Sequence, residues 1–203
     1  MAQSRRRYAR KRTSPFKKLV IALLIIAASG AAVYFAVSYF GKAQNLIENA
    51  LYPVKYSEYV DKAAEEYDLE KPLIYAVIHT ESHFNEKAES SAGAVGLMQV
   101  TPETYDWLAG LRGEETVENG LKKPKINIDY GCYLICYLFD TYGDETAVVA
   151  AYNAGITKVG EWLKDPSISP DGKTLKNIPY EETKHYVEKV EKAKKMYKKL
   201  YFS

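Results

Sequence analysis

The feature that most limits what this chain can form is a run of 22 residues without a charged side chain, LVIALLIIAASGAAVYFAVSYF, from Leu19 to Phe40. As an α-helix, a run of this length crosses the hydrocarbon core of a bilayer, which is about 30 Å thick. The sequence therefore predicts one N-terminal transmembrane helix. A cleaved signal peptide is the alternative, favoured by the small residues AASGAA, although its apolar region is ordinarily only about 7 to 15 residues long.

The charges around this run predict its orientation. Eight of the 28 basic residues lie within residues 1 to 18, which contain no acid, so the rest of the chain has 20 basic and 26 acidic residues and a net charge of −6. Because basic flanks remain in the cytoplasm, everything after Lys42 is expected outside the membrane. An acidic body also argues against a nucleic-acid-binding domain, whose positive charge should lie on the folded surface.

The remaining patterns predict one helical domain. We expect a basic cytoplasmic tail over residues 1 to 18, an anchor over 19 to 40, a stalk over 41 to 55 and a globular domain over 56 to 203. Apolar residues recur at helical spacing through that domain, and no run alternates like a strand. Loops are expected over residues 85 to 100 and 110 to 127, where glycines interrupt the pattern. The domain is therefore predicted to be all-α.

A metal site is one interpretation of the histidines. His79 and His83 are four residues apart and would share a helix face, as in zinc proteases. Glu81, however, would lie about 200° around the helix from His79, because each residue turns by about 100°. His185 is the only other histidine. We therefore expect no metal and no cofactor.

The two cysteines, Cys132 and Cys136, also lie four residues apart. A disulfide within a single helical turn would be strained, and two thiols alone make a poor metal site. Both are predicted to be buried small apolar residues, with their oxidation state left open.

Glu81 is a candidate acid because it ends the apolar segment LEKPLIYAVIHTES and precedes the glycine-containing loop SSAGAVGLMQV. Burial there would favour the neutral carboxyl and raise its pKa toward the working pH. Such an acid can protonate a glycosidic oxygen. On this pattern alone an ordinary surface charge remains the alternative, since most glutamates are exposed.

Three separated motifs give the chain a family resemblance. The segment ESHFNEKAESSAGAVGLMQVTPETY resembles the catalytic segment of the soluble lytic transglycosylase (SLT-type) family, in which Glu-Ser ends a helix and Gly-Leu-Met-Gln follows in a loop. The third signature, Ala-Tyr-Asn-Ala-Gly, occupies residues 151 to 155, and PYEETKHYVEKV resembles the closing helix. The resemblance covers about residues 56 to 195 and implies a lysozyme-like catalytic domain related to goose-type lysozyme.

The resemblance also implies roles for individual residues. Glu81 matches the single catalytic acid and base. The positions that match substrate-binding residues are Ser90, Met98, Gln99, Tyr152, Asn153 and Tyr186. Without the motifs, core packing would be the ordinary interpretation of Met98, and Tyr152 would be one more aromatic residue among 18 tyrosines.

The implied reaction cleaves the β-1,4 bond between N-acetylmuramic acid and N-acetylglucosamine in peptidoglycan. The sugar's own 6-hydroxyl attacks and leaves a 1,6-anhydromuramoyl end, so one carboxylate suffices where ordinary glycosidases use a pair. A hydrolase resembling goose-type lysozyme and a non-catalytic wall-binding scaffold are the alternatives. The expected partners are peptidoglycan strands, the cell membrane through a single pass, and proteins of cell-envelope assembly.

Overall fold

The computed structural model describes residues 14 to 202, apart from the side chains of residues 21, 22, 25 and 26. Most of the predicted basic tail, residues 1 to 13, lies outside the described residues. The chain divides into two units, one ending at Leu51 and the other beginning at Tyr52.

The first unit contains a single helix, α1, from Pro15 to Leu51. It includes the whole uncharged run and most of the predicted stalk, which is helical as far as Leu51. Large apolar side chains along it are exposed, including those of Leu23, Phe35 and Phe40. Among the residues that the structure describes, no helix combines the length and the apolar character needed to cross a membrane.

The second unit consists of helices joined by loops. Its described residues form no strand, so the all-α prediction is confirmed. Its helices are α2 Ser57–Glu66, α3 Lys71–Ser82, α4 Pro102–Arg112, α5 Pro124–Tyr142, α6 Glu145–Ala154, α7 Ile156–Leu163 and α8 Glu181–Tyr201. A single turn of 3₁₀-helix, Gly120–Lys122, precedes α5.

Helix α3 lies at the centre of this unit. Pro72 stands in its first turn, where the missing N–H breaks no helical hydrogen bond. All seven residues from position 72 to 78 are buried, as the apolar sequence predicts. The most extensive packing between two helices is that of α3 against α8. This contact brings the end of α3 next to residues about one hundred positions later in the chain.

The structure corrects the second predicted loop, which is shorter than residues 110 to 127. Helix α4 begins with the Thr101 hydroxyl accepting the Thr104 N–H at 3.1 Å, and it continues to Arg112. It ends at Gly113, whose φ of 68° is a conformation that glycine adopts at little cost. Helix α5 already begins at Pro124, because proline is well suited to a first helical turn.

Arg112 connects three of these helices. Its guanidinium contacts the Asp129 carboxylate of α5 at 2.9 Å, and the Tyr67 hydroxyl donates to the same carboxylate at 2.6 Å.

Both cysteines lie on α5 with free thiols, Cys132 buried and Cys136 half-buried.

Candidate active site

Glu81 is the second-last residue of α3, and the chain turns sharply after it. His83 donates its N–H to the His79 carbonyl at 3.1 Å with a φ of 50°, and Phe84 follows with a φ of 63°. Two consecutive non-glycine residues in the left-handed region are unusual and cost conformational energy. They end the helix directly behind the acid, so that the following loop begins beside Glu81.

The environment of Glu81 is that of a group that exchanges protons near neutral pH. Burial raises its pKa to about 7, and a hydrogen bond from Tyr186 acts in the opposite direction. Within the part of the chain that the structure describes, no second carboxylate contributes to this shift. A carboxyl with such a pKa is present in both protonation states at neutral pH, so it can donate a proton and later accept one.

Tyr186 comes to this site from α8. Its hydroxyl donates to Glu81 Oε1 at 2.6 Å, and its side chain is buried. Burial, together with the nearby Glu81, raises the pKa of Tyr186 well above its usual value, so the phenol retains its proton and acts as a donor. The residue expected to face substrate thus contacts the acid directly.

The loop after α3 is attached to the site by two side chains of the sequence motifs. The Ser82 hydroxyl donates to the Leu97 carbonyl at 2.8 Å. The Tyr152 hydroxyl of α6 donates to the Met98 carbonyl at 2.7 Å. Burial is the main cause that raises the pKa of Tyr152, and Glu81 contributes to the same shift, which places Tyr152 in the electrostatic surroundings of the acid. The three motifs therefore converge on one place.

Met98, one of the predicted substrate contacts, lies in the interior of the structure. The Met98 side chain has 0% exposure. It packs against Gly131 of α5 so closely that a Cβ at Gly131 would lie 2.5 Å from the Met98 sulfur. The Met98 side chain therefore packs in the core, and its predicted contact with substrate stays a prediction.

The other predicted residues of the loop also make bonds within the protein. The Gln99 amide donates to the carbonyls of Ala88 and Gly96, at 3.1 and 3.0 Å. Ser90 is exposed, and its hydroxyl accepts the Ala94 N–H at 3.0 Å.

Asn153, on α6, is exposed and accepts a hydrogen bond from the Thr183 hydroxyl at 2.8 Å. Packing between helices thus brings Tyr152 to the loop and Asn153 to α8.

Two residues of the site escaped the sequence analysis. Ser82 belongs to the Glu-Ser motif, and its hydroxyl attaches the loop to α3. Asn127 is 1% exposed and makes three hydrogen bonds, one of them with the Met98 N–H at 2.7 Å. A polar residue at the start of an otherwise apolar helix was the only signal that could have indicated it.

The two histidines at the end of α3 contact each other and Tyr52 through tilted rings. The imidazoles of His79 and His83 lie 4.8 Å apart, and the Tyr52 ring lies 4.8 Å from that of His79. Burial, and then His83, lowers the pKa of His79, whose buried Nδ1 has no hydrogen-bond partner among the described residues. His185 is exposed and pairs with Glu188 at 3.3 Å. Among the described residues, no group of three or more histidine, cysteine and carboxylate side chains is arranged to hold a metal.

Solved structures share this fold. The lytic transglycosylase Slt of Pseudomonas aeruginosa, solved as an inactive mutant, superposes with a TM-score of 0.63 at 27% identity, over 74% of this chain and 25% of that one. The 70 kDa soluble lytic transglycosylase of Escherichia coli gives a TM-score of 0.67 at 25% identity, over 75% and 25%. The second unit therefore has the fold of lytic transglycosylases.

Sequence comparison gives the family. A family model described as the transglycosylase SLT domain matches residues 58 to 174, more than half of the chain. The chain belongs to this family.

Two relatives illustrate its range. A putative soluble lytic murein transglycosylase of Haemophilus influenzae is 36% identical over 146 residues, which are 68% of this chain and 24% of that protein. The membrane-bound lytic murein transglycosylase C of Histophilus somni is 32% identical over 168 residues, 71% of this chain and 46% of that protein. The chain thus spans between a quarter and a half of the length of these relatives.

Proposed function

We propose that this protein is a peptidoglycan lytic transglycosylase with Glu81 as its single catalytic acid and base. The observation that carries the proposal is a half-buried carboxyl with a pKa of about 7, hydrogen-bonded to Tyr186, in a member of the SLT family. The substrate follows from the relatives, which are named murein transglycosylases.

In the first step, the protonated Glu81 carboxyl donates its proton to the bridging oxygen between N-acetylmuramic acid and N-acetylglucosamine. The C1–O bond breaks, the electron pair leaves with that oxygen, and positive charge develops at the muramic acid C1. Burial of Glu81 supports this step, because it keeps the carboxyl protonated at a pH where an exposed glutamate would be ionised.

In the second step, the Glu81 carboxylate removes the proton of the muramic acid 6-hydroxyl, whose oxygen bonds to C1 and closes the 1,6-anhydro ring. The Tyr186 hydroxyl, 2.6 Å from Glu81 Oε1, stabilises the carboxylate between the two steps. The reaction needs only one carboxylate, where ordinary glycosidases use a pair.

The substrate contacts remain part of the proposal. Ser90 and Asn153 are exposed, and Gln99 is half-buried, so each retains surface that a sugar can reach. Tyr152 and Tyr186 would contribute through the parts of their rings that line the site around Glu81. Met98 would act through its backbone and by packing.

Glu81→Gln tests the function. The amide is nearly isosteric, so we expect an intact fold and turnover reduced by at least the roughly 10² to 10⁴ of general acid–base catalysis. Mass analysis of digested peptidoglycan should show anhydro products from the wild type, each lighter by one water than a hydrolysed muropeptide, and almost none from the variant.

Glu103→Gln, an exposed acid on α4, serves as the matched control and should leave product release unchanged. A Glu81→Gln protein that releases anhydro products at the wild-type rate would defeat the assignment of the acid. Reducing ends from the wild type would indicate a goose-type hydrolase, and a wild type that binds but never cleaves would indicate a scaffold.

We further propose that the uncharged run from Leu19 to Phe40 anchors the protein, with the catalytic domain outside the cytoplasm. The run has the length of a membrane span and follows a basic segment, and several relatives are named membrane-bound. Protease added to intact spheroplasts should degrade the domain. Recovery of the full-length protein only in the soluble fraction would refute the anchor.

A further inference from the structure

We infer that Asn127, a buried residue of α5, is a positioning residue that holds the loop segment 95 to 99, named here the site loop, in the shape the reaction needs. Asn127 is 1% exposed, so it acts through the site loop rather than on the substrate. The part of this inference that concerns activity rests on the proposed function; the part that concerns loop geometry does not.

Three hydrogen bonds connect Asn127 to the site loop and to the 3₁₀ turn that contains Leu121. Its Oδ1 accepts the Met98 N–H at 2.7 Å, and its Nδ2 donates to the Val95 carbonyl at 2.8 Å. The same Nδ2 donates to the Leu121 carbonyl at 2.9 Å. Both amide hydrogens and one oxygen lone pair are therefore used, and one side chain satisfies three backbone groups, two of them in buried bonds.

Only an uncharged side chain with a donor and an acceptor satisfies this arrangement. Asn127→Asp would place a carboxylate opposite the carbonyl oxygens of Val95 and Leu121 and would lose both donated hydrogen bonds. Asn127→Ser is too short to span the two loops and would leave the Met98 N–H unpaired. A buried backbone group without a partner is costly, so the loop would have to move to reach water.

Gly96 lies so close to Asn127 that no larger residue fits at this position. A Cβ on Gly96 would lie 2.4 Å from Asn127 Nδ2 and 2.6 Å from the Leu121 carbonyl oxygen, and the Gly96 φ of 81° disfavours other residues. The backbone of the site loop thus approaches the Asn127 amide as closely as a glycine allows.

The site loop also accepts hydrogen bonds from two residues close to Glu81. The Leu97 carbonyl accepts from Ser82, the neighbour of Glu81, and the Met98 carbonyl accepts from Tyr152. The N–H of the same residue, Met98, donates to Asn127 Oδ1. Releasing that contact would shift Gln99 relative to Glu81, and displacements of about 1 Å can cost about 100-fold in rate.

The test uses the full chain and two variants, Asn127→Ser from the helix side and Gly96→Ala from the loop side. Ile135→Ala, a buried position of α5 outside these contacts, is the control for lost stability, and thermal unfolding checks that all three are folded. The first readout is hydrogen exchange of the Met98 amide relative to amides within α5. We expect about a tenfold or greater loss of protection in both site-loop variants and no selective loss in Ile135→Ala.

The second readout is the division of the effect between KM and kcat on soluble glycan fragments. A misplaced loop should lower kcat/KM by about 10- to 100-fold, with a raised KM and an unchanged pH dependence of the Glu81 limb. A variant that is merely partly unfolded would lower kcat and leave KM unchanged, since only the amount of active enzyme falls.

The inference is overturned if the Met98 amide stays protected from exchange in both site-loop variants. It is also overturned if the Met98 amide loses protection while KM and kcat stay within about twofold of the wild type. An equal rise of KM in Ile135→Ala would overturn it as well. Should Asn127→Ser fail to fold, Gly96→Ala tests the same contact. A wild type that cleaves no peptidoglycan defeats the proposed function instead, while the exchange experiment still decides whether Asn127 holds the loop.

Discussion

At the scale of the residue, the pKa of Glu81 depends on two opposing effects, burial and the hydrogen bond from Tyr186. The protein interior favours its neutral form, and the Tyr186 hydroxyl favours its charged form. A lytic transglycosylase needs both forms in one cycle, so the pKa has to lie near the working pH. Tyr186 is therefore the residue through which this balance can be tested without removing the acid.

Tyr186→Phe removes the hydrogen bond that stabilises the Glu81 carboxylate, so the Glu81 pKa should rise above its value of about 7. The protonated form required for the first step would then persist to higher pH. We expect the alkaline limb of kcat/KM against pH to move upward, while the total rate falls because the carboxylate needed in the second step is less stable.

Tyr59→Phe, which removes the hydroxyl of a half-buried tyrosine of α2, is the matched control and should leave the limb in place. An alkaline limb that stays put or moves downward in Tyr186→Phe would show that the Tyr186 hydroxyl does not set the pKa of the acid.

At the scale of the element, α5 connects the core to the site loop. Gly131 gives space to the Met98 side chain, and Asn127 binds the Met98 backbone one turn earlier. Both contacts depend on the position of α5 relative to the loop. A glycine inside a helix, ordinarily a weakness, is here a packing requirement.

Gly131→Ala reverses the usual effect of a glycine-to-alanine change. Inside a helix this change ordinarily stabilises by up to about 1 kcal/mol, since alanine has the better helix propensity. At Gly131 the new Cβ would lie 2.5 Å from the Met98 sulfur and 2.8 Å from the Met98 Cβ, which is not a flexible end. We expect a net loss of about 1 to 3 kcal/mol in urea unfolding.

Gly110→Ala provides the comparison, because a Cβ on this glycine of α4 meets no atom of the described residues within 4 Å beyond its chain neighbours and the backbone of its own helix. It should be neutral or slightly stabilising. If Gly131→Ala behaved like Gly110→Ala, the close packing of Met98 on α5 would be disproved.

At the scale of the whole molecule, the compact unit begins at Tyr52, earlier than the predicted start at Tyr56. The Pro53 carbonyl accepts from the Tyr197 hydroxyl at 3.1 Å, and the Tyr52 carbonyl accepts from the Tyr201 hydroxyl at 2.9 Å. These bonds join the beginning of the unit to α8, the same helix that presents Tyr186 to the acid.

A chain of residues 52 to 203 should therefore be more stable than one of residues 56 to 203. The shorter chain loses both hydrogen bonds and the contact between the rings of Tyr52 and His79, which together are worth about 1 to 3 kcal/mol. The difference should be measured by thermal and denaturant unfolding of the two chains.

Tyr201→Phe in the longer chain removes one of the two bonds and should produce an intermediate loss of stability. Equal stability of the two chains would show that residues 52 to 55 are an appendage, as the sequence boundary predicts, and that α8 does not depend on them.

The sequence alone determined the fold class and the family, because both depend on local order. Apolar residues at helical spacing specify helices wherever they occur. Pro72 and Thr101 mark the starts of α3 and α4, and Gly143 marks the end of α5, through their own backbone preferences. The three motifs are short and contiguous, so their order could be read directly. Glu81 could be selected for the same reason, since it stands within one of them.

The tertiary structure decided which side chains meet and which are buried. Tyr186 contacts Glu81 across 105 positions because α8 packs on α3, and no local pattern encodes that contact. Met98 lies in a motif expected to face substrate, yet α5 presents Gly131 to it and the side chain is buried. Asn127 stood in a predicted loop, but it became the partner of the site loop because α5 begins earlier, at Pro124. In each case, burial depends on the packing of segments that are distant in sequence, and neither residue type nor spacing specifies it.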